Sequence, residues 1–403
     1  VHISFDYTTG IYPGAGIARY TRSLISSLSQ LDRENHYSLF YAARGLPRST
    51  PEMEQADALF ASHPNFRPVP LPVSVRQMFA LWQRLRLPVG VDRFTGRCDV
   101  VHSPDFVSPP HRTGADVITV HDLSFLVVPE CAEPKLAAFL SRSVPAAVRR
   151  ADHIIAVSHQ TKNDLIRLLS VPPDKITVAH NGIDPRFQRA EGSGQKAGVA
   201  NDNPKSKIQN PKLADLPDKF ILHVGTLEPR KNLKRLVEAY GFLINSKLKT
   251  QTSKLRIALV LAGRKGWLYE PIMEAAERVN SAGGQVIFVD YIYDSDLPVL
   301  YNMATVFAYP SLYEGFGLPA AEALACGVPT LVSNDGALCE VVGDAALKVD
   351  PRSVEDIASG LDRLLSDDDL RATLAAKGPL QVTPFTWDAA ARTVLDVYRR
   401  VAR

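Results

Sequence analysis

Glu314-Gly315-Phe316-Gly317-Leu318-Pro319-Ala320-Ala321-Glu322 sets two acids eight positions apart around a Gly-x-Gly turn and a proline. The run before it, Thr305-Val306-Phe307-Ala308-Tyr309-Pro310, reads as a buried strand. Pro319 suits the first helical position, where a missing N–H costs nothing. The helix then runs through Ala325 and stops at Gly327, before Pro329. Strand, turn and helix together leave N–H groups at the helix start, where the dipole favours an anion such as phosphate. The glycines let the backbone approach it. Glu322, one turn in, can accept hydrogen bonds from hydroxyls such as those of a ribose. Glu314, in the loop, can meet a polar group beyond the phosphate. A diphosphate with a sugar at each end fits this spacing. The plainer alternative makes Glu322 a solvated helix residue and Glu314 a turn cap.

Outward from this stretch, strand-like runs alternate with helical patterns, which implies parallel sheets covered by helices. In the first half the strands are expected at Val1–Phe5, Tyr37–Tyr41, Val100–His102, Val117–Val120, His153–Val157 and Lys175–Ala179. Helices are expected at Ile17–Leu28, Lys135–Arg149 and Gln160–Leu169. A second series starts at Phe220-Ile221-Leu222-His223-Val224-Gly225 and continues through Leu255–Ala262, Val286–Val289, Thr305–Tyr309 and Thr330–Val332. Between the two, residues 188–216 are polar, rich in Gly, Asn and Lys, and read as a linker with a surface excursion. The expected division is therefore a first domain over 1–187, the linker, a second domain over 217–385, and a last helix within 386–403 that crosses back to the first domain. Ligands of open α/β sheets bind beyond the carboxyl ends of the strands, which points to a cleft between two such domains.

A chain of 403 residues with 45% hydrophobic content has material for two full cores. Its net charge of +3 does not argue for nucleic acid; it fits anionic small substrates or loose contact with an acidic membrane surface. The four cysteines, Cys98, Cys131, Cys326 and Cys339, lack metal-ligand spacing, and a reducing compartment is expected. No run of about eighteen apolar residues suggests a spanning helix. Val1-His2-Ile3-Ser4-Phe5 reads as a strand and not as a signal peptide.

Several strand ends carry chemistry. Gly225-Thr226-Leu227-Glu228-Pro229-Arg230-Lys231-Asn232 follows a strand, and its adjacent guanidinium and ammonium can grip a diphosphate without a metal. A solvated basic loop or a helix-start salt bridge is the alternative. Leu261-Ala262-Gly263-Arg264-Lys265-Gly266-Trp267 is a second strand-to-loop transition, suited to base or phosphate contact or to a simple turn. Asp290-Tyr291-Ile292-Tyr293 can frame a nucleobase through its backbone or pack on a helix. In the first half, Ile118-Thr119-Val120-His121-Asp122 puts His121 just past a buried strand, where it either meets a sugar or phosphate or is structural. Asp122 would orient it or cap the next helix. Tyr12-Pro13-Gly14-Ala15-Gly16-Ile17 is an incomplete phosphate-type glycine loop. Asp294-Ser295-Asp296 and Ser366-Asp367-Asp368-Asp369 read as helix caps and not as metal sites. Arg76, Met78, Phe79, Leu81, Trp82, Arg84, Leu85 and Arg86 mix basic and apolar residues at helical spacing; they suit a lipid surface or a core face.

Taken together, these segments resemble the GT-B glycosyltransferases, in particular the large retaining family 4, over nearly the whole chain. Glu314 to Glu322 matches the family's Glu-x7-Glu motif, Gly225 to Asn232 its Arg/Lys loop, and Val178-Ala179-His180-Asn181-Gly182-Ile183-Asp184 its inter-domain strand and turn. The resemblance implies an α/β, GT-B architecture of two doubly wound Rossmann-like domains facing a central cleft. It implies a hexosyltransferase that moves a sugar from a nucleotide diphosphate with retention and without a metal or other cofactor. By matched position, Glu314 meets the donor sugar and Glu322 the ribose, Arg230 and Lys231 stabilise the leaving diphosphate, and His121 sits beside the sugar. The donor contacts implied are Gly16, Gly225, Arg230, Lys231, Gly263, Tyr291, Ile292, Glu314, Gly315, Phe316, Gly317, Leu318 and Glu322. Asp105, His121, Arg76 and Trp82 are candidate acceptor contacts. Two departures stand out: Gly14-Ala15-Gly16 replaces a plain Gly-Gly pair, and Thr226 stands where many members have arginine.

By the same resemblance, mannose from GDP-mannose is the expected donor, with UDP-glucose second. The acceptor is a saccharide or a polyprenyl-diphosphate-linked oligosaccharide of a polysaccharide pathway. The expected location is cytoplasmic, with peripheral contact at the inner face of the membrane. A nucleotide-sugar epimerase is an alternative of the same fold. A nicotinamide dehydrogenase is disfavoured by the lack of a full glycine fingerprint, and a non-catalytic sugar-binding protein would not need this set of charges.

Overall fold

The computed structural model describes residues 1–14, 16–47, 49–85, 87–189, 211–249 and 257–402. They fall into two units. Val1–Leu126, Lys135–Gly182 and Phe385–Arg403 make the first, and Val127–Pro134 with Ile183–Pro384 the second. The first unit holds a seven-stranded sheet: β1 (His2–Asp6), β2 (His36–Ala42), β3 (Phe66–Leu71), β4 (Val100–Ser103), β5 (Ala115–Val120), β6 (His153–Ala156) and β7 (Ile176–Val178). The second holds six strands: β8 (Phe220–Val224), β9 (Ala258–Ala262), β10 (Val286–Val289), β11 (Val306–Tyr309), β12 (Thr330–Ser333) and β13 (Leu347–Val349).

Every strand pairing is parallel. Parallel sheets are covered by helices on both faces, so their strands are apolar throughout and do not alternate. β5, β9 and β11 show this, with every residue buried. The strand orders are β3-β2-β1-β4-β5-β6-β7 and β10-β9-β8-β11-β12-β13. In each sheet the chain first winds one way and then restarts on the other side of its opening strand. The reversal leaves a crevice at the carboxyl ends of β1 and β4 in the first sheet, and of β8 and β11 in the second.

The last helix, Trp387–Val401, packs within the first unit. Ser27 Oγ donates to Asp388 at 2.6 Å, and Tyr398 Oη lies 2.5 Å from His102 Nδ1. At the crossing, a Cβ on Gly182 would lie 2.1 Å from Trp387 N, so only glycine fits there. The first unit ends its first pass at Gly182, five residues before the boundary expected from sequence. It also gives up Val127–Pro134, which pack with the second.

Other differences have local causes. β3 carries Pro68 and Pro70, which argue against a strand; it is an edge strand, where a missing N–H is tolerated. β13 is a three-residue edge strand, too short for a pattern. The basic and apolar stripe is not one α-helix: Val75–Phe79 is α-helical and Ala80–Arg84 winds as a π-turn. Met78 and Trp82 pack on the core around Phe40, Val69 and Leu71, while Val75, Phe79 and Leu85 stay exposed. Arg86 lies outside the described residues, as do Ala15 of the glycine loop and residues 190–210 of the expected linker. The linker's last part is a short helix, Pro211–Ala214, with Leu213 and Leu216 buried. All four cysteines are free; three are buried and Cys339 is partly so. Among the described residues no helix is long and apolar enough to cross a membrane.

Candidate active site

The second sheet's crevice is built first by backbone. Gly225, just past β8, donates its N–H to Ala262 O at 2.9 Å, and Gly263, just past β9, donates to Val289 O at 2.9 Å. A Cβ on Gly263 would lie 2.0 Å from Gly225 O. The two glycines have φ of 157° and 151°, so the strand ends close together only without side chains. Beyond Gly225 the chain makes a 3-10 turn, Pro229–Lys231, and is pinned by Asn232, whose Nδ2 donates to Pro310 O and Pro351 O. Leu312 N donates to Arg230 O at 2.8 Å, which ties this loop to the one after β11.

These two loops create a buried ionic cage. Arg230 Nη1 donates to Glu314 Oε2 at 2.9 Å and to Tyr313 O at 3.0 Å, and Nη2 to Glu228 Oε1 at 2.8 Å. Lys231 Nζ donates to Glu314 Oε1 and to Tyr309 Oη, both at 2.6 Å. Glu314 is 7% exposed. Burial alone would raise its pKa, but the Arg230 and Lys231 charges outweigh it and hold the carboxyl at about 2. Lys231 is shifted down, by burial first and then by Arg230, against the pull of Glu314 and Glu228. Two cations and two carboxylates thus balance, which is what permits four charges in a low-dielectric site. Glu228 and Tyr309 are members that the sequence reading missed. Glu228 lies inside the quoted loop but was given no role there, and Tyr309 looked like a core strand residue.

The Gly-x-Gly turn leads into a helix that opens at Leu318, one residue before the Pro319 expected to start it. Gly317 has φ 92° and precedes the helix Leu318–Ala325, with Pro319 in its first turn. A Cβ on Gly317 would strike Leu338 Cδ2 at 2.4 Å. Phe316 is buried. Glu322 is no solvated helix residue: it is 1% exposed, and its Oε2 accepts from Tyr301 Oη at 3.0 Å. Tyr301, Phe307, Tyr309 and His223 form a continuous aromatic column, with centroid spacings of 5.4, 5.7 and 5.2 Å. The column connects the Tyr301 that holds Glu322 to the Tyr309 that meets Lys231.

Further along the same sheet edge, the Arg264 guanidinium carbon stands 4.1 Å above the Tyr291 ring, and Ile292 is buried. The Trp267 indole donates to Cys131 O at 2.8 Å. Asp296 precedes the helix Leu297–Met303 but has helical φ and ψ and makes no side-chain cap, so that expected cap is absent. Asp367, by contrast, accepts from Leu370 N at 2.8 Å and caps as expected.

In the first unit, His121 lies past β5 and its Nε2–H donates to Pro104 O at 2.6 Å. Tyr20 packs edge-on to its ring at 4.8 Å. Burial lowers its pKa, against Pro104 and Asp122. Asp122 caps instead of orienting: its Oδ1 accepts from Ser124 N at 2.9 Å. Asp105, past β4, is pushed up to about 6 by burial and then by Asp6, the last residue of β1, which is itself raised by burial. The two acids flank the first sheet's crevice. Gly16, with φ 39°, opens the helix Gly16–Leu31. Arg22 in that helix is buried and reaches back to Tyr12 O and Gly14 O at 3.4 Å each, bracing the glycine loop. Arg76 is exposed, and Trp82 Nε1 donates to Val89 O at 3.0 Å.

The sequence model of Glycosyl transferases group 1 matches residues 204–381, and that of Glycosyltransferase Family 4 matches residues 14–187. O-antigen chain mannosyltransferase B of Escherichia coli is 30% identical over 399 residues, spanning 96% of this chain and 97% of that one. Sucrose-phosphate synthase from Thermosynechococcus elongatus superimposes with a TM-score of 0.74 at 20% identity, covering 99% of this chain and 98% of its own. Anabaena HepE in complex with UDP-glucose gives 0.68 at 17% identity, with 99% of each chain covered. At these identities the two structures speak for the fold alone.

Proposed function

Because the chain belongs to the group 1 and family 4 glycosyltransferases, we propose that it moves mannose from GDP-mannose to a saccharide or lipid-linked oligosaccharide, with retention and without a metal. The observation that carries this reading is the Arg230, Lys231 and Glu314 cage at the switch point of the second sheet. Breaking an anomeric C–O bond puts negative charge on the departing diphosphate, and preorganised cations beside a glycine-lined strand end stabilise it. Held at about 2, Glu314 stays ionised at neutral pH. It can accept hydrogen bonds from the sugar's hydroxyls but has no proton to give. Both of its oxygens are engaged by cations, which suits orientation of the sugar better than nucleophilic attack. In this reading the departing phosphate oxygen takes the acceptor's proton, and attack comes from the same face to give an α-linkage.

Mannose is favoured by the E. coli relative, which is named a mannosyltransferase. UDP-glucose is the second reading, favoured by the fold shared with HepE in its UDP-glucose complex. His121 and Asp105 would serve the acceptor side. The exposed Val75, Phe79 and Leu85 beside the exposed Arg76 and Arg84 would suit peripheral contact with an anionic membrane surface at the cytoplasmic face.

The test is transfer from GDP-mannose and UDP-glucose to saccharide and polyprenyl-diphosphate-linked acceptors, with and without EDTA. Product from GDP-mannose, α-linked and unchanged by EDTA, is expected. An altered donor released with no acceptor present would replace this reading with an epimerase, and loss of product in EDTA would overturn the metal-free part.

A further inference from the structure

β4 and β5 lie inside a parallel sheet, where strands are apolar on both faces. His102 and Thr119 depart from that pattern, and both are 0% exposed. They belong to one chain of hydrogen bonds. Tyr398 Oη, from the last helix, lies 2.5 Å from His102 Nδ1. His102 Nε2 lies 2.9 Å from Thr119 Oγ1, which in turn lies 3.2 Å from Tyr20 Oη. Tyr398 and Tyr20 are buried as well. Each polar side-chain atom of the four has a partner, and a buried network satisfied in this way is rigid. Burial holds the His102 ring neutral, with a pKa of about 3. A neutral imidazole has one N–H and one lone pair. It takes a hydrogen bond from one hydroxyl and gives one to the other, so the two halves of the chain are coupled through it.

The chain ends against His121. The Tyr20 ring stands edge-on to the His121 ring at 4.8 Å, with 86° between the planes, a directional contact. Phe106 stands edge-on to the same ring at 5.9 Å, and Pro104 O accepts from His121 Nε2 at 2.6 Å. Phe106 is held in the left-handed region, with φ 49°, which is unfavourable for so bulky a residue. Its N–H donates to Thr119 O at 3.0 Å. Thr119 thus serves both neighbours of His121: its side chain anchors Tyr20 and its carbonyl anchors Phe106.

We propose that Tyr398 is a positioning residue for His121, acting through His102, Thr119 and Tyr20, so that the last helix fixes the orientation of a ring in the first crevice. It rests on the reading that His121 serves the transfer reaction.

The first measurement is an NMR titration of isotope-labelled histidine in the full chain, with the His121 signal assigned by its loss in His121→Gln. Tyr398→Phe and Thr119→Val cut the chain at two points. Each should move the His121 pKa from its lowered position up towards the ordinary 6.5, because burial is what lowers it. Thr119→Val leaves the titratable groups around the ring in place, namely His102, Tyr20 and Asp122. Thr119→Ser keeps the hydroxyl and should leave the pKa where it is. A role in packing alone predicts the reverse order, since valine keeps the volume and serine loses a methyl. The second measurement is transfer from GDP-mannose. Tyr398→Phe should lower kcat about fivefold and should cost nothing further when added to His121→Gln.

A His121 pKa that stays put in both cutting variants would overturn the proposal, and so would additive losses of kcat in the double variant. His121→Gln as active as wild type would overturn the part in the reaction, with the role given to His121, while the titration still decides the positioning. If neither GDP-mannose nor UDP-glucose gives transfer, the donor reading has failed, and the order of the Thr119 variants in the titration supports or overturns the positioning by itself. Melting temperatures check that each variant is folded.

Discussion

The two sheets share a topology and yet treat their carboxyl groups in opposite ways. At the second crevice Glu314 is buried among cations and sits at about 2. At the first crevice Asp105 is partly buried near another acid and rises to about 6. Burial raises both; counter-charge decides the outcome. The second crevice thus holds a carboxylate that stays ionised at neutral pH. The first holds an acid that takes up its proton near pH 6, beside a His121 whose pKa is lowered by burial.

The sharpest way to break this contrast is Glu314→Gln, which keeps the shape and removes the charge. Turnover should fall by about 10²- to 10³-fold, while the circular-dichroism spectrum at 25 °C stays that of a folded chain; a variant that simply unfolds would count against a catalytic role. Next comes acid. Glu314 is depressed from 4.5 to about 2. Its contribution, roughly 3 kcal/mol, is present above pH 4.5 and disappears as the pH falls through about 2. Denaturant melts from pH 5 to 2 in wild type should lose this increment, and Glu314→Gln should not. Asp105 has the opposite sign. It is raised from 3.8 to about 6, so its ionisation opposes folding above that range, and the opposition is relieved as the pH drops towards 4. Asp105→Asn should therefore stabilise the chain by about 1–2 kcal/mol at pH 7.5 and have little effect at pH 4, read from the same melts. The smallest effect is expected from Tyr309→Phe. It removes one bond to Lys231 and should lower kcat/KM about fivefold with the melting temperature nearly unchanged.

How much of this was readable beforehand depends on whether a signal is local. The strand, turn and helix around Glu314 to Glu322 announced themselves because glycine, proline and a short apolar run each constrain the chain within a few residues. The last helix, expected within 386–403, was found at Trp387–Val401 for the same reason. The cage did not. Tyr309 and His223 lie in strands whose composition says only that they are buried, and their partners are about 80 positions away. Glu322 was read as a hydroxyl acceptor or a solvated residue, and its Tyr301 partner was missed because a helix period is silent about a tyrosine arriving from another helix. Asp6 gave no sign that β4 would bring it a second acid. The missing Asp296 cap shows the reverse failure: a correct residue type, placed before a helix, whose backbone had already turned helical.

The eight residues Val127–Pro134 have a consequence for anyone exchanging parts between relatives. They come from the first half of the chain but pack with the second unit, where Val128 and Cys131 cluster with Tyr313 and the Cys131 carbonyl receives Trp267. A donor unit cut as one continuous block from Ile183 to Pro384 would leave behind a piece of its own interior. A chimera intended to carry a new sugar preference must be spliced at four joints and not at two, and its success would hinge on the shortest insert.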